Sequence, residues 1–512
     1  MSNMNNNFEW IPSEDFEFVQ LDAQLHDSKL DSKARGYFAD ALLRFRKNKS
    51  SVIATWILLI LLLYSFVSPI LSPYDMKNKD SIYINTPAYM PGIAEKGWGI
   101  LDGATTLDSQ NETSMNYWRG IAEETGMDPV LKILSASTEM IKIRGKMVER
   151  NVYTIEVNRY YQPGMVYRTL SFAEFNKLQD WQNETGIQVI YPYVEPKDIS
   201  GITDNPNLWY ECDSKGAAIL DKDDNFVSVY STRSESEGAP YFSKRIEGDP
   251  GNYIYSGAKA GAVHVRLCYY NYYQYLNGFE PSYIFGTDSL GRDLFNAIGI
   301  GARFSLIFAV VISAINLTLG AFYGAVQGYY GGMVDMILDR ISDILSGVPF
   351  VVVATLFQLH LAQKVGVVLS FLFAFVLTGW IGMASLTRKQ FYRFKNLEFV
   401  MAARTLGASD GRLMFKHIFP NGIGTIITSC ALVIPGAISS ETNMTYLGIV
   451  DLNSFAGATI GGLLSSGQAS MTTAPHAMFW PSLFFALLMI SFNLFGNGLR
   501  DAFNPSMRGV ED

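Results

Sequence analysis

Six stretches of this chain are long and apolar enough to dictate the rest of the fold. An apolar run of about 20 residues can cross a bilayer as a helix, which satisfies its own backbone hydrogen bonds where no water is available. The runs lie at 51–71, 303–326, 344–362, 365–384, 423–440 and 478–496. An amphipathic stretch, DMILDRISDIL, precedes the third. The first, SVIATWILLILLLYSFVSPIL, follows Arg44, Arg46, Lys47 and Lys49, and this positive flank sets the N-terminus inside the cell. No signal-peptide pattern opens the chain and no small-residue cleavage site follows the first run, so that run reads as an uncleaved anchor. Six spans that begin inside also end inside. Arg388, Lys389, Arg393, Lys395, Arg404, Arg412 and Lys416 all fall between the fourth and fifth runs, where this count places cytoplasm. Parity and charge bias therefore agree.

Composition points the same way. Hydrophobic residues make up 48% of the 512 positions and charged residues only 17%, below the roughly one quarter usual in soluble proteins. Abundant Phe and Tyr suit interfacial belts. A formal charge of −8 argues against nucleic acid as a partner. No GxxxxGK[ST], HExxH, paired CxxC or GxSxG is present, which leaves no P-loop and no catalytic constellation. Three cysteines occur. Cys430 lies in an apolar run, whereas Cys212 and Cys268 lie in the polar region, where they are either a disulfide pair or two separate thiols.

That polar region, about 74–283, is domain-sized. NVYTIEVNRYY, IQVIYPYV, NFVSVYS and VHVRLCYYNYY alternate as strands do, and FAEFNKLQDWQNETG reads as a helix ending at Gly186. The expectation is an α+β domain outside the membrane. Its tyrosine-rich CYYNYYQYLNGFEPSY offers a protein-docking surface, core packing or contact with the membrane surface.

The segment LEFVMAARTLGASDGRLMFKHIFPN, 397–421, has the form of a protruding hook. Glu398, Ala402 and Ala403 share helical spacing, with alanines small enough for close approach. Gly407 can stop the first helix in a left-handed conformation. Ser409 or Asp410 can cap a second, basic helix carrying Leu413, Met414, Phe415 and Ile418, and Pro420 is expected to break continuity before the fifth span. An ordinary amphipathic loop would share some of these features. Upstream, GTDSLGRD at 286–293 allows a tight turn at Gly291 and a short surface helix capped by Thr287 or Asp288. It lacks the carboxylate cluster of a metal loop and the lysine of a phosphate loop. Among polar residues near the apolar runs (Asn316, Gln327, Gln358, His360, Thr378, Glu441, Asn443 and Asn493), Glu441 is placed just after the fifth span, near the outer mouth.

MAARTLGAS with FKHIFPN resembles the coupling ("EAA") loop of the C-type permease subunit of oligopeptide/dipeptide ABC importers. FGTDSLGRDLFNAIGIGARFSL and NLFGNGLRDAFNPSMRG resemble the same family's entry to the second span and exit from the last. Met401 stands where the family usually has Glu, while Ala402, Ala403, Gly407 and Pro420 follow its pattern. The resemblance covers about 285–509, the first span and the tail before it; the 74–283 region departs from the family's short connector.

The resemblance implies a mainly α-helical integral membrane protein with six transmembrane helices, the type I ABC importer permease fold, plus an inserted extracytoplasmic α+β domain between helices 1 and 2. The expected layout is a cytoplasmic tail at 1–50, the first helix at 51–72, the extracellular domain at 73–284 and an outer elbow at 285–302. Helices 2–6 follow at 303–498, with the coupling loop at 387–420, and a cytoplasmic tail occupies 499–512. ATPase coupling is expected from Glu398, Met401, Ala402, Ala403, Gly407, Ala408, Ser409, Arg412, His417 and Pro420. The elbow motif comprises Gly286, Thr287, Asp288, Gly291, Arg292 and Asp293. The implied activity is ATP-driven oligopeptide import into a bacterial cell by alternating access, with dipeptides or metal chelates as alternatives. The implied partners are a sister permease in a heterodimer, two ABC ATPase subunits that bind the ATP and magnesium, an extracellular peptide-binding lipoprotein for which the tyrosine-rich segment offers a docking surface, membrane lipid and peptide; the chain itself carries no cofactor or metal. A membrane receptor would need a larger cytoplasmic output domain, and a secondary transporter would show inverted repeats.

Overall fold

The computed structural model describes residues 37–77, 79–143, 146–191, 222, 256–259 and 261–503. Among the described residues, five helices are long and apolar enough to cross a membrane: Lys49–Leu71, Leu294–Tyr330, Val367–Phe394, Asp410–Tyr446 and Pro475–Phe503. The third apolar run differs from expectation. Gly332–Ser346 and Phe350–His360 form a pair bent by 74°, not one straight span. The bend falls at Gly347-Val348-Pro349, where proline withholds a backbone donor and excludes the α conformation from the residue before it.

Packing shows that this bent pair carries the chain from one end of the bundle to the other. Gly320, Gly324 and Gly328 of the Leu294–Tyr330 helix lie against Met383, Ala384 and Phe391, respectively. Both residue numbers rise together, so the two helices run parallel. The chain must therefore return between them. A side chain at Gly320 or Gly328 would approach within 2.6 Å of the Met383 or Phe391 Cβ, so the missing side chains set the spacing of this seam. The Asp410–Tyr446 segment runs antiparallel to Leu294–Tyr330, with Cys430 near Ser313 and Glu441 near Ser305. Ser51 lies near Leu494 and Gly498, whereas Tyr64 packs on Phe484. The first and last helices are thus also antiparallel, and the 397–418 hook shares an end of the bundle with Ser51 and Gly498.

At the opposite end stands a body built from two antiparallel sheets. β1 (Ala104–Asn111), β2 (Val130–Ile143) and β3 (Lys146–Asn158) pair in the order β1-β3-β2. β7 (Ala262–Cys268) pairs with β4 (Met165–Leu170), β5 (Ile190–Tyr191) and β6 (Ser256–Lys259). The Phe172–Thr185 helix carries a Ser171–Glu174 capping box and ends at Gly186, as its sequence pattern suggests. Arg266, with no exposed surface, meets Glu124 through two bonds of 2.8 and 2.9 Å and ties β7 to the Glu112–Thr125 helix.

Several strand expectations change. NVYTIEVNRYY leaves its strand at Asn158 and turns, and only Ile190–Tyr191 of IQVIYPYV is a described strand. NFVSVYS lies outside the described residues. VHVRLCYYNYY stops being a strand at Cys268, which faces the first residue of its partner strand, Met165; Tyr269–Asn277 forms a helix. Its tyrosines 269, 270, 272 and 273 are all buried. They pack with Tyr83, Tyr89, Tyr160 and Tyr283 as one aromatic core, which removes the exposed-tyrosine argument for a docking surface. Tyr89 stacks on Tyr160 at 4.4 Å, and the Tyr273 hydroxyl lies 3.0 Å from that of Tyr283.

Candidate functional site

The hook is a two-faced element. Glu398–Thr405 forms its first helix, Gly407 takes φ +82°, and Ala408 donates its backbone N–H to Ala403 at 3.1 Å across the turn. Ser409 stands at the next N-cap, but its side chain makes no capping bond. Asp410 instead accepts from the Tyr329 hydroxyl at 2.6 Å and from Tyr330 at 3.4 Å. Val400, Leu413, Met414 and Ile418 are buried against Ala325, Tyr329 and Phe391 at the ends of two spanning helices. Of the expected coupling residues, Glu398, Met401, Ala402, Gly407, Ser409, Arg412 and Pro420 are exposed, while Ala403, Ala408 and His417 are half-buried. Leu406 at the turn is 88% exposed. An apolar residue held so far into solvent forms the tip of a surface that no described residue covers.

Pro420 does not interrupt the chain. It occupies the first turn of Phe419–Tyr446, where its missing N–H costs little, and a π-helical turn at Leu413–Ile418 joins hook to span. The hook is therefore continuous with the fifth spanning helix.

A polar brace at the same end had no signal in the local pattern. Arg388 donates to Asp335 at 2.6 Å and to Asp339 at 2.8 Å, across sequence separations of 53 and 49 residues. Tyr392 donates to Asp335 at 2.6 Å, and Lys395 bonds the Gly328 carbonyl at 2.9 Å. The parallel helices and the bent pair are thus clamped beside the hook.

The elbow motif forms the joint between bundle and β body. No short helix forms there. Thr287 and Asp288 lie in a loop, and Asp293 caps the long helix, accepting from the backbone of Phe295 and Asn296 and from Ser72 at 3.0 Å. The Thr287 hydroxyl donates to Tyr83 O at 2.7 Å and receives Thr86 N at 2.9 Å. Asp288 pairs with Arg292 at 2.7 Å, and Arg292 reaches Gly457 O at 2.6 Å. Gly286 and Gly291 have φ of +79° and +71°; a Cβ at either would run into the backbone carbonyl of Thr86 or Asp80. Burial raises the Asp293 carboxyl to about 6, against the hydrogen bonds of Ser72, Asn296 and Phe295, which pull it down.

Glu441 lies within the fifth helix, not beyond it. It is fully buried and accepts the Ser305 hydroxyl at 2.6 Å. Cys268 is buried, and its thiol is pushed up to about 11 by that burial. Cys212 falls outside the described residues, so neither reading of the two cysteines, bridge or separate thiols, is placed.

Fold and hook together define a class: a multi-pass helical membrane protein presenting an uncovered, rigidly rooted hook at one end of its bundle. Comparison with known proteins narrows this. The family described as binding-protein-dependent transport system inner membrane component matches residues 316–509, and the N-terminal TM domain of oligopeptide transport permease C matches 36–88. The oligopeptide transport system permease protein OppC of Bacillus subtilis is 38% identical over 236 residues, covering 46% of this chain and 76% of that one. The dipeptide transport system permease protein DppC of the same organism is 37% identical over 226 residues, covering 44% and 69%. OppC of Haemophilus influenzae is 36% identical over 229 residues, covering 45% and 72%. The chain belongs to the OppC/DppC-like permeases of binding-protein-dependent transport systems, and so is a transport subunit rather than an enzyme. The two family matches leave 89–315 uncovered, the stretch that holds most of the β body.

Proposed function

We propose that this chain is the permease subunit of an ATP-driven importer that carries oligopeptides into a bacterial cell by alternating access. It forms the pore as a heterodimer with a sister permease. Two ABC ATPase subunits, which hold the ATP and magnesium, engage its hook, and an extracellular peptide-binding lipoprotein delivers the substrate. The hook and both termini lie in the cytoplasm; the β body, and with it most of 73–302, lies outside. The observation that carries the reading is the division of the hook, with Val400, Leu413, Met414 and Ile418 buried on the bundle and Met401, Ala402, Leu406 and Arg412 left open. A contact made on the open face reaches the fifth helix without passing through a flexible joint. Relatives named for oligopeptide and dipeptide transport supply the substrate class.

Gly407→Pro tests the coupling. Proline cannot adopt φ +82° and removes the N–H that bonds Arg404 O at 3.0 Å. The tagged complex, reconstituted in vesicles with its ATPases, should lose ATP-dependent peptide uptake while the variant chain still inserts. Uptake at the unmodified rate would refute the role given to the hook.

A further inference from the structure

Within the β body lies a second concave site that transport through the bundle does not use. A cleft of about 460 Å³ opens between the Glu112–Thr125 helix, the turn after β3 and the chain leaving the first span. Tyr117 and Trp118 supply an aromatic wall, Ser81 and Ser114 contribute hydroxyl groups, and Arg159 and Gln162 close the other side. Its volume falls in the range of small-molecule sites, about 300–1,000 Å³.

Arg159 gives the cleft its chemistry. Arg159 is half-buried, whereas the fully buried Arg266 is neutralised by the two bonds it donates to Glu124. The Arg159 guanidinium donates only to the neutral side-chain oxygen of Gln162, and among the described residues no carboxylate pairs with it. Burial lowers its pKa, and the one charge effect on it comes from Tyr160. A planar cation held in a half-dry aromatic cleft without a counter-charge has room for one monovalent anion in fork geometry. A phosphate dianion would need a second cation, and none lines the cleft among the described residues.

We propose that this cleft binds a carboxylate carried on an apolar or aromatic group, with Arg159 as the anion donor and Trp118 and Tyr117 as the wall. Given the peptide-importer reading, on which this choice of ligand rests, the C-terminal end of a short peptide is the matching form. Peptide held there would sit in the body at the bundle end opposite the hook.

Isothermal titration of the full chain in lipid nanodiscs tests this with three probes: Ala-Ala-Phe as the free acid, Ala-Ala-Phe amide and phenylacetate. The acid should bind at least about tenfold more tightly than the amide, because only the acid offers a charge-assisted pair. Arg159→Gln should abolish that preference, with an unchanged melting temperature showing an intact body. Phenylacetate binding as tightly as the acid peptide would assign the cleft to free aromatic carboxylates, within the same proposal. Equal affinity for acid and amide, or an acid preference that survives Arg159→Gln, overturns it. Uptake by the reconstituted complex is scored separately. Absence of ATP-dependent uptake by the unmodified complex refutes the importer reading, and absence of an acid preference in the unmodified chain refutes the cleft.

Discussion

Two glycines with nearly the same backbone angle carry different weight. Gly291 and Gly407 have φ of +71° and +82°. At Gly291 a Cβ would collide with the Asp80 backbone, whereas at Gly407 nothing lies within 4 Å. Gly407→Ala should therefore cost only local strain, about 1–2 kcal/mol. Gly291→Ala adds a backbone displacement at the joint and should cost about 2–4 kcal/mol. Thermal unfolding of both variants in detergent checks the ordering, and equal losses would contradict the close approach at Asp80. Asp293 gives a pH signature. Its carboxyl rises from 3.8 to about 6 on folding, so the native state holds the extra proton between these values. Stability contributed by this group is greatest below pH 4, declines as pH rises toward 6 and is flat above, a difference of up to about 3 kcal/mol. Asp293→Asn keeps an acceptor for the Phe295 and Asn296 amides and should flatten that slope. Melting temperatures from pH 4 to 7 distinguish the two chains.

At the scale of elements, the hook depends on its buried face. Ile418 is wholly buried in the cluster with Val400, Leu413 and Phe391. Ile418→Ala should cost about 2–5 kcal/mol locally, loosen the 397–418 segment to protease and reduce ATP-dependent uptake without altering insertion. Unchanged protection from limited proteolysis would show that the hook is held by something else. The hook was readable in sequence because its signals are local: alanines at helical spacing, a glycine break and an apolar stripe. The spans were readable for the same reason. The Arg388–Asp335–Asp339 brace was not, since its partners lie 49 and 53 residues apart and each reads alone as a surface charge. Tyr269–Asn277 misled because tyrosines favour strands, yet here four of them pack from a helix into the aromatic core. The elbow misled because Asp288 and Asp293 are both good caps, and only the fold shows that Asp288 is taken by Arg292.

For the whole molecule, helix direction fixes what hydropathy leaves open. Five long helices alone would allow the chain ends to lie on opposite sides. The parallel seam of Gly320, Gly324 and Gly328 against Met383, Ala384 and Phe391 requires the chain to return along the bundle between the two helices, which makes the bent pair the sixth candidate crossing. The hook then shares a side with both ends of the bundle, and the β body takes the other. Cysteine labelling tests this arrangement directly. With the native cysteines replaced, Leu406→Cys at the hook tip and Leu276→Cys on the β body, 88% and 56% exposed, provide reporters at opposite ends. A membrane-impermeant maleimide applied to intact cells should label position 276 at once and position 406 only after permeabilisation. Labelling of both from outside would place the hook beyond the reach of cytoplasmic ATPases. It would also make the bent pair a re-entrant loop, leaving the parallel seam without a crossing to explain it.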